Sequence, residues 1–131
     1  MKKKILIFTL LMAFAFSTTA FAKDITFTIT KSQGAVQVAT NSKDLSGSTW
    51  YISNFDSADS DFIEGEDVIG FKAFTASGTA VSTYHTFGNF VNRYPLSYTS
   101  TPSTGASLYL NAQVDSTGAY SSITFDGEWV S

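Results

Sequence analysis

The chain of 131 residues contains no cysteine, one histidine and two prolines, and only 15% of it is charged. Each shortage removes a class of chemistry. Without cysteine there is no disulfide framework, no thiol nucleophile and no thiolate metal site. A single histidine, His85, cannot supply the two or three imidazoles that a hydrolytic zinc centre takes. It could serve a Ser-His-Asp triad, but no strand–Gly-x-Ser-x-Gly–helix element accompanies it. Gly105-Ala106-Ser107 starts like one and lacks the second glycine.

Basic residues are scarce as well. Lys2, Lys3 and Lys4 cluster at the N-terminus, leaving Lys23, Lys31, Lys43, Lys72 and Arg93 to face all eleven acids. So few cations on an acidic chain cannot neutralise a run of phosphates, which excludes nucleic acid as a partner. The same balance excludes the basic amphipathic surface that binds anionic membranes.

What is present begins with an export pattern. The three lysines precede an apolar run from Ile5 to Phe16, and Ser17, Thr18 and Thr19 lower the hydropathy again. Ala20-Phe21-Ala22 then supplies the small-x-small site of signal peptidase. Residues 1–22 are therefore expected to be a cleaved signal peptide, with Lys23 as the first mature residue. Spanning a bilayer takes about 20 apolar residues, and this run is nearer half that, so no stable membrane span is expected in the mature form. The expected location is extracellular or in the cell wall, or periplasmic in a cell with two membranes.

Residues 23–131 are long enough to bury a core as one domain. Their apolar residues alternate with Thr, Ser and Gln over short runs separated by Gly, Asp, Ser and Asn, which is the period of strands rather than helices. Ile25, Phe27 and Ile29 share one face, and Val36 and Val38 point inward on the next run. Trp50 and Ile52 oppose Tyr51. Ile69, Phe71 and Ala73 oppose Val68 and Phe74, the pattern of a central strand. Ala76-Ser77-Gly78 reads as a hairpin loop with a return strand over residues 79–86. An aromatic segment from Phe87 to Tyr98 is interrupted by Gly88 and Pro95. Leu108, Leu110, Ala112 and Val114 then alternate with Tyr109, Asn111 and Gln113. A turn at Asp115-Ser116-Thr117-Gly118 predicts a final hairpin to Ile123, Phe125, Gly127 and Trp129. Seven to nine such strands predict an all-β, single-domain antiparallel β-sandwich, with a small barrel as the alternative. Residues 53–65 and 99–106 read as loops.

Three features could carry chemistry. Asp56, Asp59, Asp61, Glu64, Glu66 and Asp67 fall within twelve residues. Asp56, Asp59, Asp61 and Glu64 could offer carboxylates to Ca²⁺, although the spacing is not that of an EF-hand, and a solvated loop is the competing reading. Asp126 and Glu128 are two apart and share a strand face, as the outer face of an amphipathic strand or as a carboxylate pair. The tyrosines are the third feature. Tyr51, Tyr84, Tyr94, Tyr98 and Tyr109, with Tyr120, fall on polar strand faces or in the aromatic segment. Tyrosine beside Asn and Gln can stack on sugar rings or form a protein interface.

Several short motifs carry a resemblance: Ile25-Thr26-Phe27-Thr28-Ile29, Ser77-Gly78-Thr79-Ala80-Val81-Ser82 with His85 nearby, Leu108-Tyr109-Leu110-Asn111-Ala112 and Gly127-Glu128-Trp129. In these the chain resembles small, uncharacterised secreted β-rich proteins of Gram-positive bacteria. It is more loosely similar to lactococcin-like bacteriocins. The first resemblance implies a secreted β domain and supplies no catalytic residue; the second implies a toxin against neighbouring bacteria. The expected function is a secreted, non-enzymatic binding module for a cell-surface polymer or another protein. A bacteriocin-like toxin is the alternative.

Overall fold

The computed structural model describes residues 22–55, 60–115 and 121–131. The expected signal segment therefore lies outside the described residues, apart from Ala22. So do Asp56 and Asp59 of the acidic loop, Ser116 to Gly118 of the last turn, and Tyr120.

Among the described residues eight strands form: β1 (Lys23–Thr30), β2 (Val36–Ser42), β3 (Thr49–Asn54), β4 (Ile69–Thr75), β5 (His85–Phe87), β6 (Val91–Ser97), β7 (Ser107–Val114) and β8 (Ser122–Val130). They build two separate four-stranded sheets, β1-β8-β3-β6 (sheet I) and β2-β7-β4-β5 (sheet II), with every neighbouring pair antiparallel. The fold is all-β and of the sandwich type, not a closed barrel.

The alternation read from the sequence is what fills the space between the sheets. Ile25, Ile29, Trp50, Ile52, Phe125 and Trp129 from sheet I are buried, as are Ile69, Phe71, Leu108 and Leu110 from sheet II. Phe71 meets Phe125 edge-on at 5.2 Å between ring centres, and Phe27 stacks on Phe125 at 5.1 Å. Each such fully buried side chain contributes about 1.5–3 kcal/mol by leaving water. Both tryptophans are wholly inaccessible and belong to this core.

Four expectations need correction. The predicted final hairpin does not exist. β7 pairs with β2 and β4, whereas β8 pairs with β1 and β3, so the chain changes sheet between them. The two strongest alternators each become an interior strand of a different sheet, and both send their apolar faces into the one core instead of lying side by side.

The return strand over 79–86 is also broken. It shrinks to β5 and two isolated bridges, Phe74↔Ala80 and Ser82↔Tyr98. Ser82 Oγ takes the Ala73 N–H at 2.9 Å, replacing a backbone ladder bond, and Thr99 N–H bonds to Val81 O at 2.8 Å. The segment thus crosses towards the end of β6 and ties the sheets together.

Pro95, read as an interruption, lies within β6. It is tolerated because β6 is an edge strand, where a missing N–H costs no ladder bond. The neighbouring register shifts between Ile52 and Asn54, and Arg93 adopts φ 47 there. Buried Ser53 and Asn54 compensate from within β3. Ser53 Oγ accepts from Arg93 N–H at 2.9 Å, and Asn54 Nδ2 donates to Asn89 O at 3.0 Å.

Finally, a shift between Gln37 and Ala39 turns Ala39 inward and leaves Val36 and Val38 only half-buried. The kink also blunts β2 as an edge.

Candidate functional site

The five tyrosines singled out by sequence go to four different places. Tyr98 is 6% exposed and packs 6.4 Å from Trp50, with the Lys43 ammonium 5.2 Å from its ring. Burial pushes its phenol far above the ordinary tyrosine value, and the hydroxyl finds no protein hydrogen-bond partner. It offers no face to a ligand. The segment after Pro95 returns inward with Leu96 and Tyr98, which alternation interrupted by a presumed break could not reveal.

Tyr51 lies on the outer face of sheet I, with the Arg93 guanidinium 4.8 Å over its ring. Tyr94 is 39% exposed but sits at the open side of the sandwich between edge strands β6 and β5. There its ring packs on His85 and Phe87, both at 5.2 Å. His85 is thereby an aromatic packing partner, 4.7 Å from Phe87.

Tyr84 and Tyr109 alone come to one surface, the outer face of sheet II. Tyr109 stacks on Phe74 with ring centres 5.2 Å apart and planes within 7°. These residues are direct cross-strand partners on β7 and β4. The Lys72 ammonium lies 5.5 Å from the other aromatic of that pair, Phe74.

Tyr84 reaches the face by an unusual route. It lies on Gly70 of β4, so closely that a Cβ there would stand 2.1 Å from its Cζ and 2.2 Å from its Oη. The hydroxyl donates to Gln113 O on β7 at 3.3 Å, holding the ring across two strands. Burial, and then the Asp115 carboxylate, raise this phenol above its ordinary value. It remains the neutral donor that this hydrogen bond requires.

Between the Tyr84 ring and Phe74 lies a recess of about 310 Å³ whose lining includes Lys72, Asn111 and Gln113. On the other side of the stack a shallower depression of about 630 Å³ is lined by Tyr109, Thr40, Asn41, Ser42, Ser107 and Lys23, among others. Among the described residues no carboxylate lines either one. Asn111 Oδ1 is covered yet has no hydrogen-bond partner, so re-aiming this amide costs no bond at that atom.

Lys72, Phe74, Asn111, Gln113 and Gly70 were not picked out as site residues by sequence. The available signal was Phe74, an aromatic on the face opposite Phe71 and Ala73. It reads equally well as a residue covered on both sides.

The acidic features separate from this face. Asp61 and Glu64 are exposed, Asp56 and Asp59 lie outside the described residues, and Asp67 is buried with Oδ2 accepting from Ile63 N–H at 2.9 Å. Among the described residues no group of three His, Asp or Glu side chains could hold a metal ion. Asp126 and Glu128 lie on the outer face of sheet I. Asp126 accepts from Thr26 Oγ1 at 2.9 Å, and Glu128 pairs in register with Asp24. They do not face each other across a cleft.

Among the described residues no helix is long and apolar enough to cross a membrane. Comparison with protein-family models, curated proteins and solved structures returns no match.

Proposed function

We propose that the protein is an exported, non-enzymatic binding module that holds a cell-surface polymer on the outer face of sheet II. The observation that carries this reading is local composition. Among the described residues both depressions are lined without a carboxylate, by Tyr84, Phe74 and Tyr109 together with four amide side chains and two lysines. Rings provide flat apolar contact, and amides and ammonium provide directional bonds, the mixture that polar, ring-bearing ligands require.

A polymer is favoured over a protein partner because broad apolar contact is missing. Among the described residues only Tyr84 and Tyr94 are large hydrophobics classed as exposed, and they lie on different faces. A stable protein interface usually buries a contiguous apolar patch.

Retention of the purified protein on isolated Gram-positive cell walls tests the reading. Phe74→Ala combined with Tyr109→Ala is expected to lower retention about tenfold, the scale of losing a central aromatic contact. Tyr51→Ala and Tyr94→Ala should be retained like the parent. Equal retention of all variants would remove the face from consideration. Growth inhibition of related strains, without wall retention, would favour a toxin instead.

A further inference from the structure

Resting on that reading, we infer that the recess beside Tyr84 is a subsite for one pyranose ring of a neutral glycan, and that Gly70 is its positioning residue.

The geometry of Tyr84 is the starting point. The hydroxyl end of the Tyr84 ring lies over Gly70 of β4, where there is no side chain, and the hydroxyl is tied to Gln113 O. The side chain is nevertheless 41% exposed. A ring held at its hydroxyl end and still partly exposed is a stacking platform positioned before a ligand arrives, so less rotamer entropy is lost on binding.

The surroundings define the occupant. Pyranose rings have an apolar C–H face and a rim of hydroxyls. Tyr84 and Phe74 match the first, while Lys72, Asn111 and Gln113 supply donors and acceptors for the second. The recess, about 310 Å³, is at the small end of ligand sites and suits a single ring. The larger depression beyond the Phe74–Tyr109 stack gives the chain room to continue.

Neutrality follows from charge. Among the described residues Lys72 is the one charged residue lining the recess, and its ammonium is already over Phe74. The rest of the chain carries more acids than bases and repels a polyanion at long range.

Gly70 enters because its role can be tested without deleting any group that touches sugar. A methyl at Gly70 must displace the end of the Tyr84 side chain, a partly exposed group that can give way by releasing Gln113 O. A purely structural role, with Tyr84 merely covering a glycine in a strand, predicts a stability change only.

The experiment is titration of the purified protein with cellohexaose, chitohexaose and polygalacturonate, in parallel with wall retention. At least one neutral oligosaccharide is expected to bind the parent protein. Tyr84→Ala and Gly70→Ala should each weaken that binding about tenfold, and Tyr84→Phe by less than about threefold, since it keeps the ring. Amide NMR shifts of the parent on adding glycan should centre on Lys72, Asn111 and Gln113, a readout independent of how well any variant folds.

Binding of polygalacturonate alone would overturn the assignment of a neutral ligand. Wall retention by the parent that is unchanged in Tyr84→Ala and Gly70→Ala would overturn the subsite while leaving the face as the binding surface. No wall retention by the parent would overturn both.

Discussion

On sheet I the outward positions include Thr26, Thr28, Thr124, Asp126 and Glu128; on sheet II they include Lys72, Phe74, Tyr109, Asn111 and Gln113, with Tyr84 folded over Gly70. Four of these sheet I groups satisfy one another in pairs. Thr28 and Thr124 hydroxyls lie 2.8 Å apart, and Thr26 donates to Asp126 at 2.9 Å. The sheet II groups stack their apolar parts but leave Asn111 Oδ1 without a partner. On sheet I the threonines and Asp126 bond one another, with Glu128 in register opposite Asp24, whereas on sheet II Asn111 Oδ1 has no partner. The difference teaches that alternation sets which side chains face out, while their mutual satisfaction decides which outer face has bonding left to offer.

Two glycines make the same contrast in energetic terms. Gly127 of β8 and Gly70 of β4 both lack room for a Cβ. At Gly127 the obstruction is backbone, Ser53 O at 2.0 Å, with the Phe125 ring at 2.8 Å. At Gly70 it is the movable end of Tyr84. Gly127→Ala should therefore cost about 3 kcal/mol or more, the upper range for overpacking a core. Gly70→Ala should cost under about 1 kcal/mol, because the side chain can yield. Urea unfolding of both variants checks this, and comparable losses would erase the distinction.

Two tyrosines sharpen the comparison further. Tyr98 buries a hydroxyl with no protein partner, whereas Tyr84 donates to Gln113 O. Tyr98→Phe should raise stability by about 1 kcal/mol by removing that orphaned group. Tyr84→Phe should lower it slightly. Urea midpoints measured at neutral pH decide between these signs.

Alkali should act on the same pair. Both phenols are raised above the ordinary value of 10.0, so above that pH the unfolded chain releases protons that the folded chain keeps. Stability should fall as pH climbs past 10, and Tyr98→Phe should flatten the fall. Lys43 acts in the opposite sense. Burial lowers its value below 10.5, so its contribution rises with pH up to that point and levels off beyond it. A pH series of urea midpoints for the parent and Tyr98→Phe reads both effects.

The smallest effect is expected among the bonded threonines of sheet I. Thr28→Val should change stability by about 0.5 kcal/mol or less and leave wall retention unaltered. A marked loss of retention there would mean that sheet I also binds.

Much of the architecture was legible because burial enforces alternation. Ile25, Ile29, Trp50, Ile52, Phe125 and Trp129 all point inward as their spacing implies. What the spacing could not convey was pairing. Strands β7 and β8 look like a hairpin locally, yet each is better used as an interior strand of a different sheet.

The site was legible only in part for a related reason. Tyr84 and Tyr109 are far apart in sequence, and they share a surface because β4 and β7 pair and because Gly70 leaves space for a ring. Tyr51, Tyr94 and Tyr98 have the same chemistry but are taken by Arg93, by His85 with Phe87, and by the core.

Wall retention of two double variants, Tyr84→Ala with Tyr109→Ala and Tyr51→Ala with Tyr94→Ala, tests the central claim most directly. Each removes two tyrosines, so loss of aromatic content is matched. The first pair should abolish retention while the second leaves it at the parent level. Equal loss in both, or loss only in the second, would contradict the assignment of binding to the outer face of sheet II.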